Sequence, residues 1–243
     1  MAKNDNLKDF LTDVANAIRN KKGVTALINP QDFSSEIASI ESGGGVADNG
    51  FLGVATLRKT KVFGTSNFKT LTINDGVEQL TEYALYRCGA TEIILPNSVI
   101  TLGSNAFYNS PNLKSIVLPD NITALPTQCF YGCSALETVI LPENLTTINT
   151  ANFRACTALK KVVFKSKFKT MTTNVFNGCS LLEVLDFSAC TSVPSVSNVN
   201  SFTGIPATCK IVVPDALYDA WIAATNWSNY ASYIIKKSDY EAL

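Results

Sequence analysis

Apolar residues return along most of this chain at fixed places in a unit of 23 residues. Leu-Pro followed by Asn, Asp or Glu appears at Leu95, Leu118 and Leu141. In the same phase run Phe107, Phe130, Phe153 and Phe176, and three positions later the small residues Ser110, Cys133, Cys156 and Cys179. Further columns are Leu113, Leu136, Leu159 and Leu182; Ile116, Val139, Val162 and Leu185; Val99, Ile122, Leu145 and Phe168; and Leu102, Leu125, Ile148 and Met171. Upstream, Leu71, Ile73, Val77, Leu80, Ala84, Leu85 and Cys88 repeat the pattern with one residue deleted. Downstream, Leu185, Phe187 and Cys190 begin a unit stretched by an insertion from Ser192 to Asn200; it resumes at Phe202 and closes at Cys209 to Pro214. Degenerate end units are expected of a solenoid, whose terminal coils must cover the stack instead of continuing it.

Each unit reads physically. Leu113, Ile116 and Leu118 match the inward positions of a short strand, which Pro119 ends because it has no N–H for a ladder. Asp120-Asn121 predict a turn, Ile122 and Leu125 return to the core, and a short helical piece is predicted to lead into the Phe-x-x-Cys column. One unit cannot bury its apolar face alone, so neighbours must stack at the spacing of parallel strands. About seven coils at that spacing span on the order of 30 Å.

The two ends differ from the array. Leu7, Phe10, Leu11, Val14 and Ile18 form one stripe of an amphipathic helix, stopped by Lys21-Lys22-Gly23. Asn29-Pro30 caps a second helix with Phe33, Ile37 and Ile40 on its apolar face, and the glycines at 43–45 read as a linker. Two helices in forty residues are too small to be stable alone, so this stripe is expected to pack on copies of itself or on a host structure. Folding back on the array as a cap is the alternative. At the other end, Pro214 to Ala224 predict a helix with Leu217, Trp221 and Ala224 on one side, and Tyr233 to Ile235 a last strand. Trp221 and Trp227 are read as core. The predicted organisation is a helical attachment or oligomerisation segment at 1–41, a glycine-rich linker at 42–50, a repeat solenoid at 51–214 and a cap at 215–243.

Composition narrows the chemistry. There is no histidine among 243 residues, which removes the usual general base, the Ser-His and Cys-His pairs and the commonest metal ligand. Twenty basic and twenty acidic residues cancel, which argues against nucleic acid as the main partner. Seven cysteines have no CxxC spacing, and the cysteine column reads as packing of a small, soft side chain. No cofactor or metal site is predicted. The first ten residues lack the apolar region of a signal peptide, and no apolar run approaches a membrane span.

Two repeated rows are candidate contact surfaces. Ile94, Val117, Ile140 and Val163 fall between the inward strand positions, with Asp186 ending the row and Glu92, Ser115, Thr138 and Lys161 beside it. Such a strip is either a protein contact face or a consequence of β-branched strand propensity. The second row is Tyr86, Tyr108, Tyr131 and Arg154. Tyrosine and arginine are favoured at recognition sites and tyrosine faces suit sugars, yet tyrosines also stack in solenoids to fill space. Lys160, Lys161, Lys165, Lys167 and Lys169 read as a solvated basic face.

The unit, clearest from Ile94 to Leu113 and from Leu118 to Leu136, closely resembles the BspA-like leucine-rich repeat family over roughly residues 66 to 214. Lys165 stands where that pattern has proline, and Cys129, Asn152 and Val175 stand where it has alanine. The resemblance implies an α/β solenoid, a leucine-rich-repeat array, acting in adhesion or recognition without catalytic residues. Phe10 to Gly23, Ile28 to Phe33 and Glu36-Ile37 resemble a segment common at the N-termini of phage tail and fibre proteins. Together they imply a non-enzymatic virion protein, of tail or head, displaying the array to a bacterial surface protein or glycan. Leu7, Phe10, Leu11, Val14, Ile18, Phe33 and Ile37 would then hold it to other virion proteins or in a homo-oligomer such as a trimer. The alternative is a bacterial cell-surface adhesin of the same repeat family. A glycan hydrolase built on Glu92, Asp120, Glu137 and Glu143 is a third class, and these acids fall in strand or turn positions with no converging cluster.

Overall fold

The computed structural model describes residues 49–52, 56–57, 69–73 and 75–243. The stripe formed by Leu7, Phe10, Leu11, Val14, Ile18, Phe33 and Ile37 lies outside them. Among the described residues the first seven coils each contribute two strands and the last two contribute one. The first set is β1 (Asn49–Leu52), β3 (Thr70–Ile73), β5 (Glu92–Ile94), β7 (Ser115–Val117), β9 (Thr138–Ile140), β11 (Lys161–Val163), β13 (Val184–Asp186), β15 (Lys210–Val213) and β16 (Ile234–Lys236). The second is β2 (Thr56–Leu57), β4 (Gln79–Leu80), β6 (Thr101–Leu102), β8 (Ala124–Leu125), β10 (Thr147–Ile148), β12 (Thr170–Met171) and β14 (Ser195–Val196). Every pairing is parallel and in register with the repeat, as in Ile93 against Ile116 and Val139 against Val162. The predicted inward positions are buried: Leu113, Ile116 and Leu118 are at most 5% exposed.

The segment leading into the Phe-x-x-Cys column is not helical, contrary to the sequence expectation. It is a run of turns in which backbone hydrogen bonds alternate. Asn105, Phe107 and Asn109 donate their N–H groups to the carbonyls of Thr127, Cys129 and Tyr131 in the next coil. Ala106, Tyr108 and Ser110 donate three residues back within their own. An α-helix would spend its N–H groups four residues back on the same chain and leave neighbouring coils unbonded. Turning every second peptide toward the neighbour requires left-handed backbone on either side of the phenylalanine. One such column is Tyr83, Asn105, Gln128, Ala151 and Asn174; the other is Arg87, Asn109, Gly132, Ala155 and Gly178. A side chain at positive φ costs about 1 kcal/mol or more, and the bonds between coils hold it there.

The column residues then stack on their own kind. Phe107, Phe130, Phe153 and Phe176 are buried with successive ring centroids 4.9, 5.5 and 5.6 Å apart and nearly parallel planes. Each buried ring contributes about 1.5–3 kcal/mol. The small column beside it is more than packing. Cys133, Cys156 and Cys179 place Sγ 3.2, 3.1 and 3.1 Å from the carbonyl oxygens of Phe107, Phe130 and Phe153 one coil back. Ser110 Oγ does the same at Leu85 O, 3.1 Å. The slot takes a small side chain that can donate a hydrogen bond.

The insertion keeps the stack intact. β14 continues the short-strand sheet, and Phe202 lands on Phe176 with centroids 6.2 Å apart. The last coil is closed by aromatic rings: Phe187 meets Trp221 and Trp227 at 5.4 Å each, and both tryptophans are fully buried. Trp227 Nε1 donates to Pro194 O at 2.7 Å and Tyr230 Oη to Val199 O at 2.7 Å. The predicted helix from Pro214 to Ala224 is shorter, α1 (Tyr218–Ala223), because Asp215–Leu217 form a 3-10 turn. The predicted last strand is β16, which adds in parallel to β15, followed by α2 (Lys237–Glu241).

Replacing Cys156 by Ser is expected to change the unfolding free energy by no more than about 1 kcal/mol, since the donor is kept. Cys156→Leu should cost about 1–3 kcal/mol by overpacking. Urea melts of the two variants check this, and equal stability would remove the size constraint.

Burial pushes the thiols of Cys133, Cys179, Cys190 and Cys209 up to about 12, and those of Cys88, Cys129 and Cys156 are also raised by burial. The folded chain therefore holds these protons more tightly than the unfolded chain, whose thiols titrate near about 8.5. Their stabilising contribution is complete below that value and is lost as the pH rises toward the folded values. The urea midpoint is expected to fall steadily above about pH 9. At neutral pH a thiol-disulfide reagent should label the seven cysteines only after denaturant is added.

Candidate functional site

The first strand set presents a bare apolar row. Ile94, Val117 and Ile140 are 45%, 78% and 57% exposed, because alternation along β5, β7 and β9 buries Ile93, Ile116 and Val139 and turns their neighbours outward. Val163 is half-buried. Asp186 follows it in register, and beyond lies Val212, which is buried. The row is open over three coils and closes toward the C-terminal end, where α2 packs on β15. Along its flank, Glu92 accepts from Thr70 Oγ1 at 3.1 Å, and Lys161 Nζ lies 4.0 Å from Asp186 Oδ2. Lys161 is thus half-buried and occupied by its neighbour.

The second row lies on the turns. Tyr86, Tyr108 and Tyr131 stack along the coils, with centroids 5.8 and 4.7 Å apart and planes 29° and 2° from parallel. The Arg154 guanidinium carbon sits 5.8 Å from the Tyr131 ring centroid at one end. At the other, Tyr83 meets Tyr86 edge to face at 5.6 Å and the Arg87 guanidinium carbon sits 5.6 Å from the Tyr86 centroid. The faces of Tyr108 and Tyr131 are therefore turned to each other. The row offers ring edges and hydroxyls outward, and the ring faces expected to suit a sugar are taken up inside the stack.

Tyr83 and Arg87 were missed by sequence reasoning. Their coil is one residue short, which hides the column, and neither residue type signals the positive φ (57° and 54°) that turns it outward. The adjacent pair Tyr86-Arg87, set against Tyr131 and Arg154 in later coils, is the signal that was available.

Three of the five lysines read as a basic face are engaged by neighbours. Lys160 pairs with Glu137 at 3.1 Å, Lys161 with Asp186, and Lys167 Nζ donates to Asn144 Oδ1. The acids considered for hydrolysis are held apart. Asp120 Oδ1 accepts the Glu143 N–H at 3.0 Å in successive turns, and Ser166 donates to Glu143 Oε1. Glu92 and Glu137 sit on or beside strands and are engaged with Thr70 and Lys160. Among the described residues no group of three or more His, Cys, Asp or Glu gathers as a metal site, and no helix is long and apolar enough to cross a membrane. An open depression of about 420 Å³ is lined by Val193, Pro194, Ser195, Val196, Thr225 and Trp227, none of which titrates in the usual range, beside Ala224.

Stacked parallel strands and repeating phenylalanine and cysteine columns define a leucine-rich-repeat solenoid. Residues 58–183 match six copies of the BspA type leucine rich repeat region, more than half of the chain, and the chain belongs to that family. It is similar to a leucine rich cell surface protein of Faecalibacterium prausnitzii, with 27% identity and a TM-score of 0.51 over 52% of this chain and 34% of that one. It is also similar to the leucine rich repeat protein of T. pallidum, with 24% identity and a TM-score of 0.46 over 62% of this chain and 80% of that one. A third likeness is to the pneumococcal vaccine antigen PcpA, with 19% identity and a TM-score of 0.48 over 70% and 40%. This chain spans about a third of the length of the F. prausnitzii protein. No curated protein matches it.

Desolvation by its neighbours raises the Tyr108 phenol above its ordinary value, with Tyr131, Tyr86 and Tyr83 adding to the rise and Arg154 opposing it. Arg154→Ala is expected to raise it further. Ultraviolet difference titration against Tyr108→Phe reads that one phenol, and an unchanged midpoint would mean that Arg154 does not act on the row.

Proposed function

We propose that this chain is a recognition module of a phage particle, in which the repeat array is displayed to touch a bacterial surface protein or glycan. The observation that carries it is the bare row of Ile94, Val117 and Ile140 on successive coils, the first two on paired strands and the third at the edge of the next sheet. A contiguous apolar strip on a folded surface is favourable to cover, and a partner that covers it gains the burial. The attachment role rests on the N-terminal segment, where Phe10 to Gly23, Ile28 to Phe33 and Glu36-Ile37 resemble a segment of phage tail and fibre proteins and Leu7, Phe10, Leu11, Val14 and Ile18 form an apolar stripe. In this reading residues 1–41 join the chain to other virion proteins or to copies of itself, a trimer among the options.

A second reading is a bacterial cell-surface adhesin. It is favoured by the likeness to a protein described as a leucine rich cell surface protein at 27% identity. Both readings give the array the same task and differ in what carries it.

Removing residues 1–45 is expected to leave a folded array whose mass by light scattering is that of a monomer, while the full chain is an oligomer or attaches to particles. Equal masses for the two forms, with attachment retained, would defeat the attachment role. Val117→Glu, at a site 78% exposed, should leave stability within about 0.5 kcal/mol and reduce binding of the array to bacterial cells. Unchanged cell binding would remove the strand row from the contact.

A further inference from the structure

Two arginines, Arg87 and Arg154, close the ends of the tyrosine row, each with its guanidinium over a ring. Lys160, Lys161 and Lys237 are each within 4.0 Å of a carboxylate. Arg87 and Arg154 are exposed, lie over tyrosine rings and, among the described residues, pair with no carboxylate. A guanidinium laid on an aromatic face keeps its N–H edge free for two parallel hydrogen bonds to an anionic oxygen pair. The surroundings are poor in acid: segments 81–90, 103–112, 126–135, 149–158 and 172–181, which make up this side of five coils, contain Glu82 as their sole carboxylate.

Between the arginines runs a line of phenol hydroxyls. No hydrogen bond within the described residues engages those of Tyr86, Tyr108 and Tyr131. Arg87 and Arg154 are three coil steps apart, about 15 Å at the spacing of parallel strands. We propose that this line, with a guanidinium at each end, is a binding strip for one acidic polysaccharide chain laid along the stack. The inference rests on the recognition reading above and gives it a ligand class.

The chemistry favours a sugar chain over a protein segment. The ring faces, which would hold an apolar side chain, are used up in the stack, and what remains outward is a regular series of hydroxyl donors and acceptors. A pyranose ring is about as long as one coil step, so successive sugars meet successive tyrosines. The charge must be negative, from carboxylate or phosphate, because two unpaired cations flank the line and one acid opposes them.

The test uses the full chain and soluble probes at low salt: an oligogalacturonide with its methyl-esterified, uncharged form, and a phosphomannan with the neutral mannan. At least one charged probe is expected to bind, and its neutral counterpart to bind at least about tenfold more weakly. Arg87→Gln and Arg154→Gln should each weaken the charged probe about tenfold, and added salt should do the same progressively. Tyr108→Phe, which keeps the stack, should weaken it a few-fold. Lys160→Gln, which removes a cation already paired to Glu137, should leave it unchanged. Binding by carboxylate alone or by phosphate alone identifies the source of the charge.

Equal binding of charged and neutral probes, no binding of any probe, or an equal loss in Lys160→Gln would each overturn the proposal. A circular dichroism spectrum of every variant excludes misfolding, and Arg154→Glu on this exposed site should lose more than Arg154→Gln. Whole-cell binding separates the two levels. If the chain binds bacteria and the arginine variants bind equally, the strip fails while the recognition reading stands. If it binds charged glycan but no cell in a broad panel, the recognition reading fails while the strip stands.

Discussion

The structure depends on parallel strands stacking in register, one coil upon the next. A step of one repeat brings every side chain against its own counterpart, so a residue type is tolerated only if it packs against itself. Phenylalanine rings do so face to face inside the core, and threonines and asparagines do so through hydrogen bonds outside it. Thr146 Oγ1 donates to Thr123 O at 3.1 Å, and Asn144 Nδ2 donates to Asp120 O at 2.9 Å. Charges tolerate the step poorly, which bears on why they are scarce and how they are placed. Lys114, Glu137, Lys160 and Glu183 occupy equivalent places and alternate in sign, so that Lys160 reaches Glu137 at 3.1 Å. An exposed pair of this kind adds about 0–1 kcal/mol; its larger effect is to avoid the repulsion of a like-charged column.

The same step governs the backbone. On the turn side the chain adopts positive φ at Ala151 and Ala155, where nothing in an isolated unit would favour it. Their N–H groups reach Thr173 O and Asn177 O in the next coil, both at 2.9 Å. A single coil would relax away from this conformation. The stack holds it, which makes the turn segment a property of the array and not of the unit. The Cys-Ser column belongs to the same arrangement, since its donors meet carbonyls exposed by the preceding coil's turn.

How far sequence reasoning reached follows from this distinction. Features carried by a side-chain column were visible: the inward Leu113, Ile116 and Leu118, the phenylalanine stack, the small-residue slot, the outward Ile94, Val117 and Ile140, and the buried Trp221 and Trp227. Features carried by contacts between coils were not. The second strand set has two residues per coil, as in Thr147–Ile148, too few to show alternation. The turns do not show in the sequence, because positive φ at Tyr83, Arg87, Gln128 and Ala151 has no glycine to announce it. In the candidate site, the Tyr86, Tyr108, Tyr131 and Arg154 row was found as a column, whereas the use of its ring faces in mutual stacking and the partnering of Lys161 by Asp186 needed distances.

Repetition also limits what such a surface says. A perfect row presents the same chemistry at every coil, which holds a ligand along the stack without fixing where it starts. Positions that depart from the repeat supply that information. In the turn row the tyrosines give way to Arg154, and Arg87 stands where later coils have Asn109, Gly132, Ala155 and Gly178. In the strand row the apolar series ends at Asp186, which draws Lys161 across it. Under the proposed recognition role, substitutions at these interruptions would change what is recognised while leaving the columns that build the core untouched. The core columns carry stability, and on the proposed role the breaks in the outer rows would carry specificity.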